Sequence, residues 1–138
     1  MSFEPYIHFQ GNCEEAMRFY AELFGTEPPF LMRYGDMPEA SEGMSEAGKA
    51  RIMHALIKLG DGALMASDWP EGRDRPQSSV SISHVSESRE AAKAIFERLL
   101  DGAEEVMMPF DDTFWADGFG MLRDRFGTAW MINGPAKM

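Results

Sequence analysis

The chain has 138 residues, 44% of them hydrophobic, and a formal net charge of −10, so it suits one folded domain and is not globally disordered. Its apolar runs are far shorter than the ~20 residues that cross a bilayer, and its acidic balance argues against a nucleic-acid partner. Cys13 is the only cysteine, so no internal disulfide is available, and with no secretory signal at the first residues we expect a cytoplasmic protein without a membrane partner.

The first half of the chain predicts a strand, a helix and three further strands. Residues 5–9 are aromatic and aliphatic, as in a strand. Apolar residues recur at helical spacing from 13 to 24, with Asn12 and Glu15 as a capping box and Gly25 as the stop.

Three strands are predicted next, and a polar stretch separates the first from the other two. The strands fall at residues 30–34, 51–59 and 63–67, with a Gly60-Asp61-Gly62 hairpin turn between the last two. Residues 35–49 lack periodicity and predict a mobile loop.

After a linker at residues 68–78, the same order of elements returns. Residues 80–85 alternate as a strand, and Ser86 is the predicted cap of a helix that Gly102 ends. Three strands follow, at residues 105–110, 119–123 and 128–133.

This repeated order predicts the fold class. We expect an α+β protein in which two βαβββ modules, about residues 3–68 and 79–134, form a single domain over residues 1–138. Each module alone would leave one face of a four-stranded sheet uncovered, so pairing the modules places the helices outside and leaves a concave inner face. Ligands favour such concave surfaces.

Four stretches of the chain carry a resemblance to a known family. They are PYIHFQGNCEEAMRFYAELFG at residues 5–25, MASD at 65–68, TFWADGFG at 113–120 and DRFGTAWMIN at 124–133. In these the chain resembles PhnB-like proteins of the vicinal oxygen chelate superfamily, which is also called the glyoxalase/bleomycin resistance/dioxygenase superfamily. The resemblance implies paired βαβββ modules in a curved mixed sheet around a concave site, and usually a homodimer.

Members of this branch are often labelled demethylubiquinone methyltransferase-like. A methyl donor such as S-adenosylmethionine usually requires a glycine-rich turn from a strand to a helix in a parallel sheet. The comparable string here, Gly118-Phe119-Gly120, leads into a predicted strand. We therefore expect no such cofactor.

The resemblance also raises the question of a metal, because superfamily enzymes bind a divalent ion through His and Glu on the first and last strands of each module. In this sequence those positions fall at Pro5 or Tyr6, Leu64 or Ala66, Val80 or Ser81, and Met131. None of these is His, Glu or Asp, and a metal site needs three or four N or O ligands. We expect no metal and no cofactor.

Five residues are the candidates for ligand binding: His54, Asp68, Phe114, Trp115 and Met131. His54 lies in an otherwise apolar strand, and Asp68 shares the strand parity of Leu64 and Ala66, which predicts that it borders the cavity. Phe114 and Trp115 are large aromatics in a loop, where they either shape a pocket or cover a sheet edge or dimer contact.

Cys13 stands at a predicted helix N-terminus, where the helix dipole can lower the pKa of a thiol. No His or Asn partner is evident from the spacing. We interpret Cys13 as a residue of the capping region, with no catalytic role.

Three functions remain open from the sequence. The first is a metal-free protein that binds a small organic molecule, and it follows from a family resemblance without the family's metal ligands. The second is a metal-dependent lyase, isomerase or dioxygenase with nonstandard ligands. The third is a structural dimeric module without a ligand. The sequence identifies neither a ligand nor a reaction.

Overall fold

The computed structural model describes residues 2–137 and divides the chain into two compact units, residues 1–77 and 78–138. Each unit has one four-stranded mixed sheet with a helix packed on it. The α+β class and the repeated βαβββ order predicted from the sequence are confirmed. No helix among residues 2–137 is both long enough and apolar enough to span a membrane.

Unit 1 contains four strands and two helices. They are β1 (Tyr6–Phe9), α1 (Cys13–Phe24), β2 (Phe30–Arg33), α2 (Glu46–Ala50), β3 (Ile52–Leu59) and β4 (Gly62–Asp68). The strand order is β1-β4-β3-β2, in which β1 pairs with β4 in parallel and the other pairs are antiparallel.

Unit 2 repeats the arrangement with one long helix. Its elements are β5 (Ser81–Val85), α3 (Arg89–Leu100), β6 (Glu105–Asp111), β7 (Phe119–Arg123) and β8 (Ala129–Asn133). The strand order is β5-β8-β7-β6, again with the first strand parallel to its neighbour and the remaining pairs antiparallel.

One face of each sheet is buried under its helix. In unit 1 six buried apolar strand residues share the sheet face on which α1 packs, as strand alternation requires; they are Ile7, Phe9, Ala55, Ile57, Leu64 and Ala66. In unit 2, α3 packs so closely that a Cβ at Gly120 would lie 2.6 Å from the Phe96 ring. A glycine is therefore required at that contact.

The cap of α1 differs from the predicted capping box. The side chain of Asn12 makes no capping bond to the helix; its Oδ1 accepts the Gln10 N–H instead. The first N–H of the helix, that of Cys13, donates to Asp68 Oδ1 at 3.0 Å. At the other end Gly25 closes the helix as predicted, in the left-handed conformation with φ 70°.

The predicted cap of α3 was wrong by two residues. Ser88 caps the helix, and its Oγ accepts the Ala91 N–H at 3.1 Å. Ser86 lies outside the helix, where its N–H donates to Asn133 O at 2.8 Å and its hydroxyl contacts His84 Nε2. Both serines suit a cap locally, and the pairing of Ser86 with β8 decides between them.

The polar stretch at 35–49 has more structure than the sequence predicts. Tyr34–Asp36 form a 3₁₀ turn, and the short helix α2 begins after Ser45. Ser45 Oγ accepts the Gly48 N–H at 3.0 Å and donates to Glu71 Oε2 at 2.8 Å. A helix of five residues is too short to show periodicity, so the sequence pattern could not reveal it.

Asp68 connects three parts of unit 1 from the end of β4. Its Oδ1 accepts the N–H groups of Gly11 and Cys13 at 2.8 and 3.0 Å, and its Oδ2 accepts the Ile52 N–H at 2.8 Å. The Tyr34 hydroxyl donates to the backbone carbonyl of Asp68 at 2.9 Å. The side chain is 1% exposed, so each of these N–H groups depends on it for a partner.

We expect Asp68→Asn to lower the free energy of unfolding by about 3 kcal/mol. The amide NH₂ that replaces one carboxylate oxygen cannot accept a hydrogen bond, so at least one backbone N–H would lose its acceptor. Urea denaturation of both proteins measures the difference. Asp61→Asn is the matched control, since Asp61 is exposed in the β3–β4 turn, and it should change stability by less than about 0.5 kcal/mol. Equal stability of the two variants would contradict the role assigned to Asp68.

Candidate functional site

The sheet of unit 1 has a second face, opposite α1, which we call the open face. Strand register places ten residues on it: Tyr6, His8, Phe30, Met32, His54, Leu56, Lys58, Ala63, Met65 and Ser67. One row crosses all four strands, because Tyr6 pairs with Met65, Met65 with Leu56, and Leu56 with Phe30. Within the described part of unit 1, the helix that packs on this sheet is α1, and it lies against the other face.

Five aromatic rings follow one another across the open face, and we call them the ring chain. Their order is Trp69, His8, Tyr6, His54 and Phe30, with successive centroid distances of 4.2, 5.2, 5.8 and 6.3 Å. Phe30 and Tyr6 remain 52% and 41% exposed, and the other three rings are half-buried. Apolar ring surface is thus available at a face that also carries polar nitrogens.

Hydroxyl groups hold both imidazoles of the ring chain by the same ring nitrogen. The Tyr6 hydroxyl lies 3.1 Å from His54 Nδ1, and Ser67 Oγ lies 3.3 Å from His8 Nδ1. His8 also stacks on Trp69 with an interplanar angle of 18°. Within residues 2–137, the hydrogen bonds found for the His8 and His54 rings are these two, and both are at Nδ1.

The structure separates two of the predicted ligand-binding residues. His54 is a member of the ring chain on the open face. Asp68 lies on the other face, beneath α1, and its carboxylate oxygens are occupied by backbone N–H groups. Its predicted position at a cavity border was therefore wrong. Asp68 does share a sheet face with Ala66, as predicted, but that is the face that α1 covers.

The other three candidates lie in unit 2, on or next to the sheet face opposite α3. Met131 pairs with Met121, which pairs with Met108, so three methionines form a row across β8, β7 and β6. Trp115 packs edge-on against Phe119 with centroids 5.3 Å apart, and the 77% exposed Phe114 packs edge-on against Trp115. Phe119 and Met121 share one face of β7, so the loop aromatics adjoin the face of Met131.

Tyr6, His8, Ser67 and Trp69 were not among the five residues predicted from the sequence as candidates for ligand binding. Tyr6 and His8 alternate along a four-residue strand, a signal too short to show which face is buried. Ser67 and Trp69 come beside them only through the parallel pairing of β1 with β4, a contact between residues almost 60 positions apart.

The described residues do not fit a divalent metal. Residues 2–137 contain no group of three or more His, Cys, Asp or Glu side chains placed to hold one ion. On the open face, hydroxyls occupy Nδ1 of both imidazoles, and the Asp68 carboxylate is on the opposite side of the sheet. A catalytic site of this kind requires three protein ligands and an open position.

Cys13 is fully buried at the start of α1. Desolvation by burial, followed by the charges of Asp68 and Glu14, raises the pKa of the thiol far above its ordinary value. The helix dipole suggested a lowered pKa, but burial outweighs it. Cys13 is therefore a neutral packing residue at neutral pH.

We expect the Cys13 thiol to react with 5,5′-dithiobis(2-nitrobenzoate) at least about 100-fold more slowly in the native protein at pH 8 than in the urea-unfolded protein, because the thiolate is the reactive form. Absorbance of the released thiolate measures both rates. The unfolded chain is the internal control, since it exposes the same thiol. Rapid stoichiometric labelling of the native protein would contradict the burial of this side chain.

Comparisons with known proteins agree with this fold. Residues 5–132 match the family model of the Glyoxalase/Bleomycin resistance protein/Dioxygenase superfamily. Protein YjdN of Escherichia coli (strain K12) is 30% identical, over 96% of this chain and 95% of that protein. Protein PA1353 from Pseudomonas aeruginosa has a solved structure that is 38% identical, with a TM-score of 0.86 and 97% of each chain covered.

A more distant solved structure supports the fold alone. It is the Bacillus cereus protein described as a putative 3-demethylubiquinone-9 3-methyltransferase, PhnB protein. That protein is 24% identical, with a TM-score of 0.74, and the match covers 98% of this chain and all of the other.

Proposed function

Because the chain belongs to the glyoxalase/bleomycin resistance protein/dioxygenase superfamily, we propose that it binds a small organic molecule on the open face of unit 1 without a divalent metal. The ring chain is the observation that carries this proposal. It combines exposed aromatic surface with two imidazole nitrogens that have no partner among the described residues. Small-molecule sites typically pair apolar walls with a few placed polar groups.

The ring chain is held in place before any ligand arrives. Hydrogen bonds from Tyr6 and Ser67 fix the two imidazoles, and the stack on Trp69 restricts His8 further. The strands beneath are tied to each other by continuous β1-β4-β3-β2 pairing. A preorganised site loses little conformational entropy on binding, which favours affinity for a small molecule.

The donor set argues against the metal chemistry of other superfamily members in this chain. A hard divalent cation requires several oxygen or neutral nitrogen ligands that converge on one point. Among residues 2–137, no carboxylate completes a metal-ligand group with the two open-face imidazoles, and Asp68 is directed toward α1. The positions implied for metal ligands hold proline, aliphatic, serine, tyrosine or methionine side chains.

We also propose a cytoplasmic homodimer. Unit 2 exposes apolar side chains on its edge strands and in its β6–β7 loop, including Val85, Val106, Met108 and Phe114. Surfaces of this kind are typical of protein contacts. Sedimentation velocity at micromolar concentration should give a dimer mass, and Phe114→Asp should shift the population toward monomer. A monomeric wild-type protein would overturn this part of the proposal.

Binding is tested with flat aromatic probes that share one ring system: 2-naphthoate, 2-naphthylmethanol and 2-naphthylmethylamine. We expect at least one probe at millimolar concentration to raise the melting temperature of the wild-type protein, by mass action on the folded state. Phe30→Leu and Trp69→Leu should reduce that shift by at least half, because each removes a ring from the ring chain. Differential scanning fluorimetry measures the shift.

Phe3→Leu is the matched control, because Phe3 is fully exposed outside the strands and should leave the shift unchanged. EDTA should alter neither the melting temperature nor the probe shift. The proposal fails if no probe stabilises the protein, or if a chelator removes both a stoichiometric metal and the stabilisation.

A further inference from the structure

Which group donates in the Tyr6–His54 hydrogen bond can be inferred from the chemistry of its two partners. Tyr6 Oη and His54 Nδ1 are 3.1 Å apart, and within residues 2–137 each is the other's hydrogen-bond partner. A phenol is a stronger donor than acceptor, and a neutral imidazole offers one acceptor nitrogen and one N–H. Tyr6 therefore donates to Nδ1, and the imidazole proton of His54 resides on Nε2.

In the Ser67–His8 pair we infer the same direction, with the hydroxyl as the donor. Ser67 is 6% exposed, and His8 Nδ1, at 3.3 Å, is the partner of its hydroxyl within the described residues. A buried hydroxyl proton directed anywhere else would lack an acceptor, which is costly. Ser67 thus donates to Nδ1, and His8 also presents an N–H at Nε2.

The charges on the open face also favour a ligand that accepts hydrogen bonds over a cationic ligand. None of its ten strand residues is Asp or Glu, although the chain as a whole carries a net charge of −10. Its one formally charged residue is Lys58, which is exposed near the β3–β4 turn. The acidic groups that would attract a cationic ligand are therefore absent from these positions.

From these donors we propose that the open face selects an aromatic carboxylate, an oxygen of which accepts a hydrogen bond from Nε2 of His54 or of His8. The ligand's ring then lies on the ring chain, against Trp69 or Phe30. This inference rests on the proposed function, because it names the ligand class of the same site. An imidazole N–H in place of a metal would bind an oxygen atom of the ligand without coordination chemistry.

The tautomer is tested without any ligand. Two-dimensional ¹H–¹⁵N NMR of the imidazole rings at pH 8, above the ordinary His pKa of about 6.5, distinguishes a protonated from an unprotonated ring nitrogen. We expect His54 to be protonated at Nε2 in the wild-type protein and to become a mixture of tautomers in Tyr6→Phe. Protonation of His54 at Nδ1 in the wild-type protein would overturn the inference.

Ligand preference is tested with the three naphthalene probes, which differ in the group on the ring. By isothermal titration calorimetry, 2-naphthoate should bind at least about tenfold more tightly than 2-naphthylmethanol, with 2-naphthylmethylamine weakest. His54→Phe keeps a ring at that position and removes the N–H. It should reduce 2-naphthoate affinity at least about fivefold and leave 2-naphthylmethanol affinity within about twofold.

Lys58→Met is the control for general attraction of an anion. If this substitution abolishes the preference for 2-naphthoate while His54→Phe does not, the imidazoles are not the donors and the inference is wrong. Equal binding of the three probes, or tighter binding of the amine, would also overturn it while the proposed function stands. Failure of all three probes to bind would defeat the proposed function and this inference with it.

Discussion

The carboxylate of Asp68 sets the geometry on which the rest of unit 1 depends. It accepts N–H groups from the turn after β1, from the first residue of α1 and from the first residue of β3. Ile52 is distant in sequence from Gly11 and Cys13, and without the carboxylate each of the three N–H groups would lose this acceptor. The negative group also stands at the N-terminus of α1, where the helix dipole favours it. One side chain thereby fixes where the helix lies on the sheet.

Unit 2 has different polar contacts at the corresponding positions. Asn133 ends β8 beside Val85, the position that corresponds to Asp68 beside Phe9 in the parallel pairing of unit 1. The Asn133 amide donates to the carbonyls of His84 and Met131, so it ties strand to strand and does not cap a helix. The buried carboxylate of this unit is Asp124, which holds the β7–β8 turn and accepts the Trp130 indole N–H. The repeat is therefore one of topology more than of polar contacts.

Within unit 1, the groups that stabilise the fold lie on one face of the sheet and the proposed binding residues lie on the other. The polar network and the apolar core lie between the sheet and α1, whereas the ring chain lies on the opposite side of the same strands. Because successive strand residues point to opposite faces, Tyr6 and His8 can change chemistry while Ile7 and Phe9 keep the core intact. A superfamily fold can in this way change the residues on one face of a sheet and retain its structure, and in unit 1 that face carries hydroxyl-anchored imidazoles.

The sequence by itself determined the eight strands, the two long helices, their repeated order and the fold class. Hydrophobic periodicity and helix-ending glycines depend on residues that are close in sequence, so the sequence alone can predict the elements that they define. Of the candidate site, it identified His54. The tertiary structure decided the rest, because alternation tells which residues share a face but not which face a helix covers. The docking of α1 placed Asp68 inside and His54 outside. The parallel pairing of β1 with β4, and the turn into Trp69, then brought His8, Ser67 and Trp69 together from nearly 60 residues apart.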